Sequence, residues 1–284
     1  MKIILGGAQF AQRYGIYNKR IINFKELKKT INFAKKNKIF IVDTSFNYKN
    51  SHRIIGALNI HNLKIITKLK LKDKKQIDCL DSQIKDSLKE LKIKKYFAIL
   101  IHDYKDLLSK AGKNLLNELY KLKKNGLVDK IGVSIYSPND LKIIWQFWKP
   151  EIVQGPLNVF DKRIHDSGWL SKLKKNKIIF IARSVFLQGA LLQNIDKYSK
   201  YLNNYKNQFN FWFNWCKKNK ISQIQACLDY IKKFKEIDYA IVGFNSYIQF
   251  KETLSSYKKK KYYVPDIFNS KKIKLIDPRK WKLK

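Results

Sequence analysis

Short apolar runs and amphipathic stretches alternate along almost the whole chain. Eight runs rich in β-branched residues stand out, at residues 3–5, 39–42, 65–67, 97–101, 131–135, 152–154, 178–182 and 240–242. Continuous runs of this length suit strands buried on both faces, as in a parallel sheet covered by helices. Between them lie helical periodicities. In 76–91, Ile77, Leu80, Ile84, Leu88 and Leu91 share one face, with lysines and acids opposite. Phe24, Leu27, Ile31 and Ala34 form a second stripe, opened by Asn23 and Glu26 at capping-box spacing. Leu115, Leu119 and Leu122 form a third, which Gly126 can end in the left-handed conformation. Ser137-Pro138 supplies a cap and a first-turn proline for a fourth. The aromatic stretch 196–218 reads as an extra or lengthened helix before the last strand. After about Tyr257 the chain becomes a polar, lysine-rich tail, with Trp281 as its anchor back onto the body.

Eight strands with helices between them predict an α/β fold, a (β/α)8 TIM barrel spanning 1–284 as a single domain. An open doubly wound sheet that binds a dinucleotide needs a G-x-G-x-x-G turn. Gly6-Gly7 is the one tandem glycine pair, and nothing completes that pattern.

Composition changes the picture in two places. The net charge is +38, from 60 basic and 22 acidic residues. Such a surface attracts anions, yet only six of the basic residues are arginines, the residue favoured for base readout and phosphate clamps. Lysine filling solvated helix faces explains the charge without a specific nucleic-acid partner. The three cysteines, Cys79, Cys216 and Cys227, form no CxxC pair, so neither a disulfide framework nor a metal site is indicated. No apolar run approaches the length of a membrane span, and a cytoplasmic protein with reduced thiols is expected.

Four residues carry candidate chemistry. Asp43, Tyr48, Lys68 and His102 each fall at or just past the carboxyl end of a predicted strand, and in a barrel those ends meet at one rim. An ammonium from Lys68, held by Asp43, would lower the pKa of the Tyr48 phenol, and His102 would orient a carbonyl. That set suits reduction of an aldehyde or ketone, with Tyr48 as general acid.

The run Asp43-Thr44-Ser45-Phe46-Asn47-Tyr48, followed by Ser51 and Ile55-Gly56, resembles the signature of the aldo/keto reductases. So do Ile66-Thr67-Lys68 and Ile99-Leu100-Ile101-His102. The resemblance covers roughly residues 4–252. It implies a TIM barrel, an NAD(P)H-dependent oxidoreductase, and a catalytic tetrad of Asp43, Tyr48, Lys68 and His102. It implies NADP as cofactor, with NAD as the other candidate. Ser134 and Gln154 are then expected at the nicotinamide carboxamide, and Arg183, Ser184 and Gly189 in the loop over the pyrophosphate. Gly243, Asn245 and Ser246 would open the last helix toward phosphate or ribose, with Gln249 and Glu252 toward the adenine.

Departures from that pattern are visible as well. Lys49 and His52 stand where the signature has Gly and Glu, and Arg183 stands where an aromatic ring often stacks on the nicotinamide. The arginine often found near Asn245 and Gln249 to hold a 2′-phosphate is missing, and Lys251 could substitute. The opening Leu5-Gly6-Gly7-Ala8-Gln9-Phe10, with Tyr14-Gly15-Ile16-Tyr17-Asn18, is similar to a bacterial branch that accompanies surface-sugar biosynthesis. A sugar-derived carbonyl is the substrate it suggests. Two further readings stand beside this one: a non-catalytic barrel binding a cofactor or nucleic acid through its lysine-rich surface, and a lyase on the same fold. Oligomeric state is left open.

Overall fold

All eight expected strands form, and they close. The computed structural model describes residues 1–16, 21–59, 61–71, 75–193 and 200–281. The strands are β1 (Lys2–Gly6), β2 (Ile41–Asp43), β3 (Lys64–Leu69), β4 (Tyr96–Ile101), β5 (Val128–Ser134), β6 (Ile152–Pro156), β7 (Ile179–Arg183) and β8 (Tyr239–Val242). Each pairs in parallel with the next, and β1 closes on β8 from Lys2↔Tyr239 to Leu5↔Val242.

The period of two along each strand divides its side chains between two cores. Ile4, Ile41, Ile66, Leu100, Ile152 and Ile181 form a cluster of their own inside the barrel. Their neighbours Ile3, Leu5, Val42, Ile65, Ile99 and Val153 join the larger core under the surrounding helices. Both faces are therefore buried, which is why the strands read as unbroken apolar runs.

The helices follow the predicted stripes, with two differences. In Phe24–Lys36, Leu27, Ile31 and Ala34 are buried but Phe24 is 45% exposed, so the stripe starts one turn later. Asn23 caps this helix by accepting from Glu26 N (2.8 Å), while the Glu26 carboxylate accepts from Tyr247 N (3.0 Å) and ties the helix to the last one. The stretch 76–91 breaks into Lys75–Asp78 and Leu80–Leu91. At the break the Cys79 carbonyl accepts from the Ser82 hydroxyl (2.9 Å), a local competitor for the helical ladder. Gly126 takes the left-handed conformation (φ 75°) after Lys110–Lys124, and the Asp140 carboxylate accepts from Ser137 N at the head of Pro138–Ile144.

Two helices, Lys206–Lys218 and Gln223–Lys232, precede β8. The first carries much of the aromatic stretch and buries Phe209, Trp212 and Cys216; residues 196–199 of that stretch lie outside the described residues. Polar by composition, the segment after Tyr247–Lys258 nevertheless packs back onto the barrel. Phe268 meets the Trp212 and Trp215 rings at 5.1 and 5.4 Å, and buried Trp281 donates to Leu275 O at 3.0 Å. Among the described residues no helix is long and apolar enough to cross a membrane.

Candidate active site

The inward register of the strands carries the site. Two residues beyond Ile41, Ile66, Leu100, Ile152 and Ile181 come Asp43, Lys68, His102, Gln154 and Arg183, and Ser134 ends β5 on the same side. The apolar plug thus gives way to polar side chains at the carboxyl rim. Tyr48 arrives on the loop after β2, which stays stitched to β3 through Thr44 N→Ile66 O (2.8 Å) and Phe46 N→Lys68 O (3.1 Å). The four candidate catalytic residues line one cavity of about 490 Å³.

Within it, the Lys68 ammonium is fully engaged. Its Nζ donates to both Asp43 carboxylate oxygens (2.7 Å each) and to Thr44 O (2.8 Å), and both side chains are buried. Gln154 Nε2 adds a donor to Asp43 Oδ1 at 2.8 Å. Lys68 Nζ lies 5.5 Å from the centroid of the Tyr48 ring.

The expectation that this ammonium lowers the phenol is overturned. Tyr48 is held above its ordinary value, first by burial and then by the Asp43 carboxylate; Arg183 opposes and Tyr136 adds. The enclosed site disfavours the charged phenolate and the Asp43 carboxylate repels it, while the Lys68 ammonium is spent on its contacts with Asp43 and Thr44 O. Tyr48 therefore keeps its proton at neutral pH, the state a proton donor needs. His102 is pushed down to about 4 by burial, with the Lys68, Arg183 and Lys70 charges adding and Asp103 opposing. It is a neutral imidazole at neutral pH, and its Nδ1 is buried without a partner.

The same cavity is lined by Ser134, Gln154, Arg183, Ser184, Gly189, Gly243, Asn245, Gln249 and Glu252. Ser246 is placed otherwise. Its hydroxyl accepts from Gln249 N (3.1 Å) as the cap of Tyr247–Lys258, and it does not line the cavity. Gln154 Oε1 and Asn245 Oδ1 are buried acceptors with no partner. Buried acceptors of this kind call for donors, and a nicotinamide carboxamide and a nucleotide hydroxyl or amine supply them. At Gly243 any Cβ would lie 2.5 Å from Gln9 Nε2, so the backbone is bare where the cavity runs past it. These residues fit a nicotinamide dinucleotide. Among the described residues no group of His, Cys, Asp and Glu could hold a metal ion.

The model of the aldo/keto reductase family matches residues 2–267. The chain belongs to that family. Solved structures agree on the fold of this reductase. Aldo-keto reductase AKR11C1 of Bacillus halodurans, in its holo form, superposes with a TM-score of 0.75 at 14% identity, over 92% of this chain and 88% of that one. The glycerol dehydrogenase AKR11B4 of Gluconobacter oxydans gives 0.71 at 18% identity, over 94% and 88%. No curated protein matches the sequence. The protein is an NAD(P)H-dependent oxidoreductase acting on carbonyl compounds, and the non-catalytic reading is not favoured.

The structure also accounts for the reductase's departures from the signature. Lys49 has φ 35°, a left-handed conformation that suits the glycine it replaces. His52 is buried, with Nε2 at 3.2 Å from Thr67 Oγ1 and its ring edge-on to Phe46 at 4.8 Å, where a carboxylate would be hard to keep charged. The loop after β7 is tightly wound: Ser184, Leu187, Gln188 and Gly189 all have positive φ, and Gln188 O accepts from Ile16 N at 3.2 Å. Tyr17 and Asn18 of the N-terminal motif lie outside the described residues.

Gln9, Tyr14 and Tyr136 are among the lining residues that were not anticipated as part of the site. Tyr136 was within reach of sequence reasoning, because it extends the inward register two places past Ser134. Tyr14 was not, because its loop is positioned by the contact with Gln188. Its phenol is pushed up to about 12 by burial and by Tyr48, with Arg183 opposing.

Proposed function

We propose that the enzyme reduces a sugar-derived aldehyde or ketone, with Tyr48 as the general acid. The observation that carries this is the buried Lys68–Asp43–Gln154 network beside a protonated phenol and a neutral imidazole. The bound nicotinamide supplies the hydride. Tyr48 gives its proton to the carbonyl oxygen as negative charge develops there. The phenolate left behind faces Arg183 and the Lys68 ammonium, whose contacts with Asp43 and Thr44 O keep it from drifting. His102, uncharged, offers a hydrogen bond to the same oxygen and fixes its direction.

Ser134 and Gln154 hold the nicotinamide end in this reading, with the free Gln154 Oε1 taking the carboxamide N–H. Ser184 and Gly189 flank the pyrophosphate, and Arg183 stands at the nicotinamide end, where an aromatic ring often stacks. Gly243 and Asn245 serve the phosphate and ribose, and Gln249 and Glu252 the adenine. NADP is preferred over NAD, with exposed Lys251 on Tyr247–Lys258 as the cation for the 2′-phosphate. A cytoplasmic location accords with three free cysteines.

Tyr48→Phe tests the assignment. Turnover should fall by on the order of 10²–10⁴, with NADPH affinity, read by quenching of tryptophan fluorescence, unchanged. Parent-like turnover in that variant would sink it. The same titration with NADH gives the cofactor preference directly.

A further inference from the structure

We infer that the carbonyl substrate carries an anionic group, a carboxylate or a phosphate, which the Arg183 guanidinium binds beside Tyr136. The inference rests on the reductase reading above and specifies its substrate class.

Six arginines stand among 60 basic residues, so lysine is this chain's default cation. Three of the six nevertheless converge on one residue. The guanidinium carbons of Arg183 and Arg279 lie over the Tyr136 ring, 4.2 and 3.5 Å from its centroid. Arg163 Nη2 donates to Tyr136 O at 3.2 Å. Lysine cannot replace a planar, stacking, multiply donating cation, and these are the places where that difference matters.

The three arginines are not equivalent. Arg163 is paired with Asp161 (2.7 Å), and Arg279 with Asp277 (2.6 Å). Arg183 has no carboxylate partner among the described residues. It donates to Ile135 O (2.8 Å) and to Ser184 Oγ (3.2 Å), and these bonds fix the plane of its fork without matching its charge. Donors remain over, and the side chain lines the cavity.

Its place relative to the chemistry follows from its neighbours. Arg183 acts on Tyr48, on Tyr14 and on His102, the groups around the reacting carbonyl. Of the other cations acting there, Lys68 is already matched by Asp43, and Lys70 is exposed outside the cavity lining. The centre of the site therefore carries one positive charge without a counter-charge, held in place by Tyr136 and by bonds to Ile135 O and Ser184 Oγ. A fixed fork of this kind suits a carboxylate or phosphate oxygen pair. The basic surface would also draw such a substrate to the mouth.

The test uses matched aldehydes with the full-length enzyme and saturating NADPH or NADH. Succinic semialdehyde is compared with butanal, and glyceraldehyde 3-phosphate with glyceraldehyde, in the parent, in Arg183→Gln and in Arg183→Lys. The readout is the ratio of kcat/KM within each pair, so a general loss of activity cancels. The charged member should lead by about tenfold or more in at least one pair, mostly through KM. Which pair shows it identifies carboxylate or phosphate. Arg183→Gln should bring that ratio close to one, and Arg183→Lys should leave it between. A parent ratio near one in both pairs overturns the inference. So does a preference that survives Arg183→Gln, since it would then belong to the overall charge. Absence of turnover on all four aldehydes would instead remove the reductase reading itself.

Discussion

The two sides of the barrel mouth are built differently. On the β2–β4 side the polar groups largely satisfy one another: Lys68 has acceptors for its donors, Asp43 has three bonds, and Thr44 Oγ1 and Ser51 Oγ close at 2.7 Å. On the β6–β8 side, acceptors on Gln154 and Asn245 lack partners, and the loop after β7 holds four positive-φ residues in a row of six. Apart from His102 Nδ1, that first side is complete from protein alone. The other is shaped to be completed by a ligand. Gln154 joins them, giving its N–H groups to the first side and its carbonyl to the second.

Removing a partner from the complete side should have the largest effect. In Lys68→Met the Asp43 carboxylate stays buried and keeps only the Gln154 donor. Breaking one half of a buried pair costs about 3–5 kcal/mol, so urea unfolding should shift by that amount as well as abolish turnover. Asp43→Asn combined with Lys68→Met should lose clearly less than the sum of the two single changes. Additive losses would mean the two sides differ less than the hydrogen bonds indicate.

Much of the complete side was legible in the sequence. The apolar runs located the strands, and the count of two from each inward isoleucine puts Asp43, Lys68 and His102 on the rim. The direction of the Tyr48 shift was not legible. It depends on how deeply the fold encloses the hydroxyl and on the Asp43 carboxylate brought near it, neither of which any spacing along the chain encodes. The other side was readable by resemblance more than by pattern, since beyond Gln154 and Arg183 its residues come from loops and a helix. Ser246 illustrates the limit: the position was right for a helix N-terminus, and the side chain is used up in capping it. Arg279 was invisible, because its approach to Tyr136 requires a tail of unremarkable polarity to fold back over the barrel.

Acid should reveal a weakness beneath the complete side. Burial pushes His52 down to about 4. Between that value and the unfolded value of 6.5, the unfolded chain binds a proton that the folded chain refuses. Stability is therefore intact above about pH 7 and is lost as pH falls below 6.5. At about 1.4 kcal/mol per unit, this one imidazole should remove about 2–3 kcal/mol by pH 4.5. His102, shifted the same way, adds to the slope. His52→Gln, which can still bond Thr67, should flatten the dependence of unfolding free energy on pH over that range. An unchanged slope would mean that His52 is not excluded from protonation in the fold.

The smallest effect separates the two sides most cleanly. In Gly243→Ala the added methyl group meets Gln9 at 2.5 Å, and the atom it meets is the far end of a flexible side chain. Gln9 can turn aside, so the barrel should keep its unfolding free energy within about 0.5 kcal/mol, the range of a change away from packed or paired groups. What Gln9 turns into is the cavity, beside the backbone that the nucleotide would approach. NADPH affinity should weaken by roughly tenfold, or about 1.4 kcal/mol, with the Lys68–Asp43 pair untouched. Thermal unfolding with and without NADPH measures both quantities together, because bound cofactor stabilises the fold by an amount that grows with the logarithm of its affinity. A lower midpoint without NADPH would make Gly243 part of the scaffold. An unchanged midpoint and a reduced response to NADPH would assign it to the side that the ligand completes.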